Sequence, residues 1–433
     1  MQGRCKNLST IESYQMMDKL IDPNHILRKV DANIDFSFVD KETESLFSPN
    51  RGRKSVPPQQ YFKMLLLKHL FGITSNRKLV EALQYNIVYR WFCGFTLEDK
   101  VPDQSIFSKM KKRFGSDTFA RFFNSILQQC IDNGLVKSNS VMTDSTLFTA
   151  NASLDSMHRL DGTGQKKRGE KLSNKTHKSI TDPDATLAYK SGTPRTLKYK
   201  AHVCSDSESR VIVHMKITTG AIHDSVPYLN QIKQINDFGL KINETIADSA
   251  YGSADILIEL NKRAIDANIP LFSSRSGSEK SSSQLKGFSY REDKNEYICP
   301  NNKTLKACNA KSDTVLFISK ASDCQTCPLS TECAAKIRNK FGSRVVSRNK
   351  HADLFKEVRA KMELSKFKEK LYQRLWMLEG IMNELKNYHG LNRAHYRGLE
   401  NVSIQGYMAA IAINIKRIIS FGLWVLWLIL FLF

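Results

Sequence analysis

Apolar residues recur at helical spacing through Tyr61–Phe71, and Pro57 and Pro58 stand just ahead, where proline suits a first helical turn. Further helices are predicted over Ser75–Leu83 and Asn86–Cys93, with another starting near Asp103 behind the cap-forming Pro102-Asp103-Gln104-Ser105. Residues 1–135 therefore read as an all-helical domain. Near residue 138 the period changes. Ser140–Thr146 reads as a short strand closed by Asp144, and Leu197–Cys204 and Arg210–Thr218 form a hairpin around the turn-forming Ser205–Ser209. A helix over Asp224–Asn236, a strand over Ile242–Asp248, a helix over Ser253–Arg263 and a strand over Asn268–Phe272 follow. The polar, basic stretch Asn151–Thr196, with Lys166, Lys167 and Arg168, reads as a loop that DNA would order. A long helix is expected at Phe367–Tyr388, with Leu371, Leu375, Leu378 and Met382 on spaced turns.

Charge changes this picture. Lys and Arg total 65 against 43 Asp and Glu, a formal net charge of +22. A polyanion is the natural partner of such a surface, because each neutralised phosphate releases condensed counterions. The N-terminal helices carry Lys63, Lys68, Arg77, Lys78, Arg90, Lys109, Lys111, Lys112 and Arg113, which suits either a helix-turn-helix-like DNA reader or a bundle with a solvated basic face. Nine cysteines in a long chain, an odd number, with no apolar signal segment in Met1–Tyr14, do not read as a secreted disulfide framework. The cytoplasm is the expected compartment, in association with the nucleoid. The uncharged run after Arg417 is shorter than the ~20 residues of a spanning helix. A core helix, a membrane tail and a coding accident are the readings it leaves, and no obligatory membrane partner is expected.

Three carboxylates punctuate this order: Asp144 ends the first strand, Asp248 ends the fourth, and Glu379 lies in the long helix. Three antiparallel strands, a helix, then strand–helix–strand make an α/β layered sheet, in the order found in ribonuclease H-like folds. First and fourth strands are neighbours in such a sheet, so carboxylates at their ends can meet. Hard oxygen ligands of that kind suit a pair of divalent ions, Mg²⁺ or Mn²⁺, held ~3.5–4 Å apart for phosphoryl transfer. An Asp after a strand is otherwise an ordinary cap or turn residue.

Asp144 sits in Thr143-Asp144-Ser145-Thr146, and Asp248 in Ala247-Asp248-Ser249-Ala250-Tyr251-Gly252. Between them run Tyr199-Lys200-Ala201-His202 and Gly220-Ala221-Ile222-His223-Asp224-Ser225. With these segments the chain, from about Pro57 to Arg417, resembles the DDE transposases of bacterial insertion sequences, particularly those with a cysteine-bearing insertion before the final glutamate. That family's signature sets Tyr seven residues before its Glu, Arg four before it and Lys seven after. Tyr372, Glu379 and Lys386 keep the spacing. Position 375 is Leu, and Arg374 lies one residue early, about 100° around the helix. The resemblance implies that Asp144, Asp248 and Glu379 bind the metals that activate water to nick the transposon end, whose 3′-OH then attacks target DNA. It also implies that Tyr372 and Lys386 hold phosphates of double-stranded DNA on which two copies of the chain assemble, with Arg374, Lys200 and His202 as further DNA-side candidates. A catalytically inert DNA-binding relic and a metal-dependent nuclease without strand transfer are the alternatives.

Cys324-Gln325-Thr326-Cys327 and Cys333, with Cys299-Pro300 upstream, form a second cluster. Four thiolates at Cys299, Cys324, Cys327 and Cys333 would complete a structural, tetrahedral zinc site. Cys308 is an alternative ligand, and free thiols or an iron–sulfur cluster remain open readings. The expected organisation is a helical domain 1–135, a catalytic core 136–272, a cysteine-bearing insertion 273–350, the final core helices 351–417 and an apolar tail 418–433.

Overall fold

The computed structural model describes residues 1–136, 139–164, 169–190, 192–271, 287–311 and 313–431. The chain forms two compact units, one of Met1–Ile246 with Tyr372–Phe433, the other of Ala247–Leu371.

The first unit opens with helices Glu12–Leu20, Ile26–Asn33, Ser37–Thr43, Pro58–Leu70, Asn76–Tyr85, Ile87–Phe92 and Ser105–Asp132. Local chemistry sets several of their ends. Ser75 Oγ accepts the Lys78 amide at 3.1 Å, Asn86 Oδ1 accepts the Tyr89 amide at 3.1 Å, and Pro58 occupies a first turn. Phe36, Phe38, Phe62, Phe114, Phe119 and Phe122 meet edge-on or tilted to fill the space between helices. The helical domain expected from the sequence is present. Two of its expected DNA-facing cations point inward instead. Arg90 is 7% exposed and donates to the Thr96 and Asp99 carbonyls, while Lys68 is 3% exposed and bonds Asn76.

A mixed sheet follows. Strands β1 (Ser140–Thr149), β2 (Met157–Arg159), β3 (His177–Ser179), β4 (Thr186–Ala188), β5 (Thr196–Asp206), β6 (Ile212–Thr219) and β7 (Glu244–Ile246) flank a helix at Ser225–Asp237. β1 pairs antiparallel with β5, β5 pairs antiparallel with both β6 and β4, and β7 runs parallel to β1 at Ser140–Met142. First and fourth strands of the expected order are thus side by side. One expectation needs correction: Asp144 does not close β1, which continues to Thr149. The reason is pairing rather than local pattern, since Ser145–Thr149 stay in register with His202–Lys198. Within the stretch expected as a loop, β2 and β3 form a small two-stranded sheet. Lys166, Lys167 and Arg168 lie outside the described residues.

The helix Leu399–Phe431 packs on Ser105–Asp132 and on β6. Gly406 permits the approach: a Cβ there would stand 2.8 Å from two side-chain carbons of Ile217. Asn414, fully buried, accepts the Ile212 amide at 2.8 Å and donates to the Ile212 carbonyl at 2.9 Å. The residues after Arg417 begin inside this helix rather than as a separate tail, with Ile418 and Ile419 buried. Among the described residues no helix is long and apolar enough to cross a membrane.

The second unit holds a helix at Ala254–Lys262, strand β8 (Asp266–Asn268), and strands β9 (Ser289–Arg291), β10 (Glu296–Ile298), β11 (Thr304–Lys311), β12 (Thr314–Ile318), β13 (Lys336–Ile337) and β14 (Arg344–Asn349). The last six make an antiparallel sheet in the order β13-β14-β12-β11-β10-β9. Its small core is Tyr297, Leu305, Phe317, Ala335 and Val346. Phe272 and Ser273–Lys286 lie outside the described residues.

Replacing Asn414 with Ala leaves the buried Ile212 amide and carbonyl unpaired. The expected cost is about 2–4 kcal/mol, read as a lowered urea midpoint of the full chain; an unchanged midpoint contradicts the role given to this side chain.

Candidate active site

Asp144 stands in mid-strand on β1, in register with Val203 of β5 and two residues past the end of the β7 pairing at Met142. Its carboxylate is compensated from a neighbouring helix, Ser365–Asn383. Arg374 Nη2 lies 2.9 Å from Asp144 Oδ2, and Arg374 Nε donates to the Thr143 carbonyl at 3.1 Å. The arginine side chain is 8% exposed and the Asp144 side chain 30%. Asp144 Oδ1 accepts the Ser145 amide at 2.7 Å. Gln373, one residue before Arg374, donates to the Ser207 carbonyl at 3.2 Å and ties the same helix to the end of β5.

The opposite face of β1 carries a second polar group of residues. Ser145 Oγ donates to Asp224 Oδ1 at 2.8 Å, and Lys200 Nζ reaches the same oxygen at 2.7 Å and the Ile222 carbonyl at 2.7 Å. Burial works against the Asp224 anion, yet hydrogen bonds from Lys200 and Ser145 outweigh it and hold its carboxyl below the usual range. His202 shares a hydrogen bond with Thr218 at 2.9 Å and is fully buried. Burial also pushes its pKa down to about 4, so the ring is neutral. These placements correct the DNA-side expectation for both residues. Lys200 is engaged with Asp224, and His202 has no surface to offer a phosphate. Asp224 was not singled out by sequence; the register Ser145↔His202, which places its partners on one face, appears only once β1 and β5 are paired.

The remaining candidates are distributed as follows. Glu379 is exposed, on the side of its helix that also presents Tyr372 (71% exposed) and Trp376 (51%). Five residues separate it from Arg374, about 140° around the axis, so the two do not share a face. Glu384, its rival in the sequence, is held at 2.5 Å by Arg417 and 3.3 Å by Lys416. Lys386 lies in the wide turn Glu384–Tyr388 that ends the helix; burial, with the charges of Lys190 and Lys198, lowers its pKa. Asp248 belongs to the second unit, where its Oδ1 accepts the Ala250 amide at 2.8 Å and caps the short turn Ser249–Tyr251.

Cys299, Cys324, Cys327 and Cys333 all line one cavity of about 360 Å³ in the second unit. Cys299 Sγ accepts the Lys303 amide at 3.4 Å, Cys327 Sγ accepts from Asn301 at 3.5 Å, and Cys324 Sγ lies 3.0 Å from Ser319 Oγ. Cys308 is exposed. Among the described residues no three His, Cys, Asp or Glu side chains are gathered as a metal cluster.

Two family models match this chain. The Transposase domain (DUF772) covers residues 15–113, within the helical domain, and the Transposase DDE domain covers residues 298–419, including Arg374, Glu379 and Lys386. The chain belongs to the insertion-sequence transposases of the DDE type. No curated protein matches it. Among solved structures, a piggyBac transposase synaptic complex with hairpin DNA is similar at 12% identity, over 95% of this chain and 75% of that one, with a TM-score of 0.35. A Mos1 transposase paired-end complex with the left transposon end has 9% identity over 51% of this chain and 62% of that one, with a TM-score of 0.17. A Mos1 mariner paired-end complex with Mn has 10% identity over 59% and 71%, also at 0.17. These superpositions are loose, and class membership rests on the two sequence families.

His202 and His214 are both pushed down to about 4 by burial, against an ordinary 6.5. The unfolded chain therefore takes up protons first. The stability tied to these two rings is fully present above pH about 6.5 and is lost as the pH falls towards 4. Urea midpoints at pH 7.5 and pH 5 should show the loss, and His202→Gln should reduce it; a wild-type midpoint flat across this window contradicts the neutral rings.

Proposed function

We propose that this chain is a ribonuclease H-like DNA transposase that binds the terminal inverted repeats of an insertion sequence and catalyses metal-dependent cleavage and strand transfer. The observation that supports it most is positional. The two transposase families match on either side of a core in which β7 runs parallel to β1, the strand that carries Asp144. Asp144, Asp248 and Glu379 are the metal-binding carboxylates in this reading. Their hard oxygen donors are of the kind a divalent ion such as Mg²⁺ or Mn²⁺ takes, but among the described residues they are not gathered around one point; such an ion would supply Lewis-acid activation of the attacking oxygen when bound. Around that chemistry the chain's own groups orient and neutralise: Arg374 holds Asp144, and Lys386, with Lys190 and Lys198, offers phosphates a cationic surface. Tyr372, exposed on the Glu379 side of the helix, would contact the DNA end, on which two copies of the chain would assemble. The cysteine quartet has the soft donors zinc prefers, but its thiols are not gathered as ligands, so no part of the reaction is assigned to it.

A second reading, an inert DNA-binding relic, is favoured by one feature: Asp144 is already neutralised by a buried arginine, and Glu379 lies on a different face of the helix from that arginine. Labelled inverted-repeat duplexes with Mg²⁺ separate the two. The enzyme reading expects nicking at the repeat end by wild type, and a loss of about 10³-fold or more in Asp144→Asn, Asp248→Asn and Glu379→Gln with end binding retained. Binding without any nicking by wild type supports the relic, and nicking without joining of a pre-cut 3′-OH end supports a nuclease.

A further inference from the structure

Residues 389–398, between the wide turn Glu384–Tyr388 and the helix Leu399–Phe431, bond to three other parts of the first unit. Towards the helical domain, His389 Nδ1 donates to the His69 carbonyl at 2.8 Å, and His69 Nδ1 donates to the His389 carbonyl at 3.1 Å. A carbonyl only accepts, so each ring carries a proton on Nδ1. Both rings are buried, and burial pushes His69 down to about 3, which keeps it neutral. Tyr396 adds a second link: the ammonium groups of Lys68 and Lys111, from two helices of that domain, stand 5.3 and 3.7 Å from its ring centre. Towards the sheet, the Thr149 amide at the end of β1 donates to the Asn392 carbonyl at 3.2 Å, and the Ala394 amide donates to the Thr149 carbonyl at 2.7 Å. Ahead of β4, the Gly398 amide donates to Asp182 at 3.0 Å and the Leu399 amide to Asp184 at 2.8 Å, while Arg397 donates to the Asn151 carbonyl at 3.2 Å. Gln405, fully buried, holds the segment to its own helix through the Gly390 and Arg393 carbonyls and the His395 amide.

Asn151 and Asp182–Asp184 stand at the two ends of a stretch that holds the β2–β3 ribbon and the exposed Lys171, Lys175 and Lys178. Both roots of that ribbon and the helical domain are therefore tied to the same eleven or so residues. We propose that residues 389–399 are a joint that couples the helical domain to the lysine-bearing β2–β3 ribbon, so that a DNA duplex bound by the first steadies the second. This rests on the reading of the chain as a DNA binder whose helical domain takes the transposon end. Two basic parts set in place during folding need not be ordered again at binding, and a duplex that touches both gains as a bivalent ligand does. Such coupling is reciprocal: a ribbon steadied by DNA also favours the docked helical domain. Neither a bound metal ion nor a cleavage step enters it.

The test is hydrogen–deuterium exchange of the full chain with and without inverted-repeat duplex, in metal-free buffer. In wild type the duplex should slow exchange in the helices Asn76–Tyr85 and Ile87–Phe92, and also, by about fivefold or more, at the Thr149, Ala185, Ala394 and Gly398 amides. His389→Leu with Tyr396→Leu removes both side-chain links to the helical domain. It should keep the duplex-induced protection of the helices and lose that of the four distant amides. His389→Asn with Tyr396→Phe, which keeps a donor near the Nδ1 position and keeps the ring, should restore it; a side chain that merely stabilises the fold would change exchange equally with and without duplex. Asp184→Ala, at the other end of the joint, should keep the response at Thr149 and Ala394 and lose it at Ala185, and it decides the matter should the double Leu variant fail to fold. Wild-type protection confined to the helices, or a distant response unchanged in the double Leu variant or in Asp184→Ala, overturns the inference and leaves DNA binding standing. No protection anywhere in wild type removes the DNA-binding reading, and the inference with it.

Discussion

A carboxylate that is less than one-third exposed needs a partner for its charge, and the contacts around Asp144 follow from that constraint. β1 pairs with β5 from Val141 to Thr149 and with β7 at Ser140–Met142, so the backbone at Asp144 is held in register with Val203 while its carboxylate stays partly exposed. The charge is met instead from a helix more than two hundred residues further on, by Arg374 at 2.9 Å. Breaking such a pair strands one charge in a poorly solvated place, which is why partners of this kind are kept together. The helix that supplies Arg374 is fixed in turn by Gln373 on the end of β5 and by the buried Met377, Leu378 and Ile381. One electrostatic requirement thus ties the first strand of the core to the helix that bears Glu379.

The two faces of β1 use polar groups differently. On one, Asp144 and Arg374 form a pair that still reaches the surface through the aspartate. On the other, Ser145, Asp224 and Lys200 close a half-buried set beside the fully buried His202. The second set spends its hydrogen-bonding capacity internally and holds the start of the Ser225–Asp237 helix against the sheet. The first leaves a carboxylate partly exposed beside its buried guanidinium partner. Alternation along a strand makes this division automatic: adjacent residues point to opposite faces, so Asp144 and Ser145 serve separate purposes.

The C-terminal helix shows the same economy in apolar terms. Gly406 lets it approach β6, Asn414 satisfies the amide and carbonyl of Ile212, and the run Met408–Ile413 is fully buried. A stretch that looked too apolar to be left in water begins inside a helix whose earlier turns are core.

Much of the architecture was legible from residue order alone, because periodicity and end signals are local. The N-terminal helices, the hairpin of β5 and β6, the helix after Asp224 and the long helix around Glu379 all follow from spacing, caps and turn residues, and the transposase family was legible in Asp144, Asp248 and the Tyr372–Glu379–Lys386 spacing. What sequence could not reveal depends on partners far apart in the chain. That β1 runs on past Asp144 is decided by β5. That Arg90 and Lys68 face inward while Arg77 and Lys78 stay exposed is decided by which carbonyls and side chains the helices bring near them. Lys200 and His202 were candidates for DNA until Asp224 and Thr218 arrived beside them. Arg374, out of step with the spacing expected of a phosphate contact, became intelligible only when folding placed it against Asp144. Local chemistry determined the elements; the compensation of charge between distant elements, which no local pattern encodes, decided what each polar residue is for.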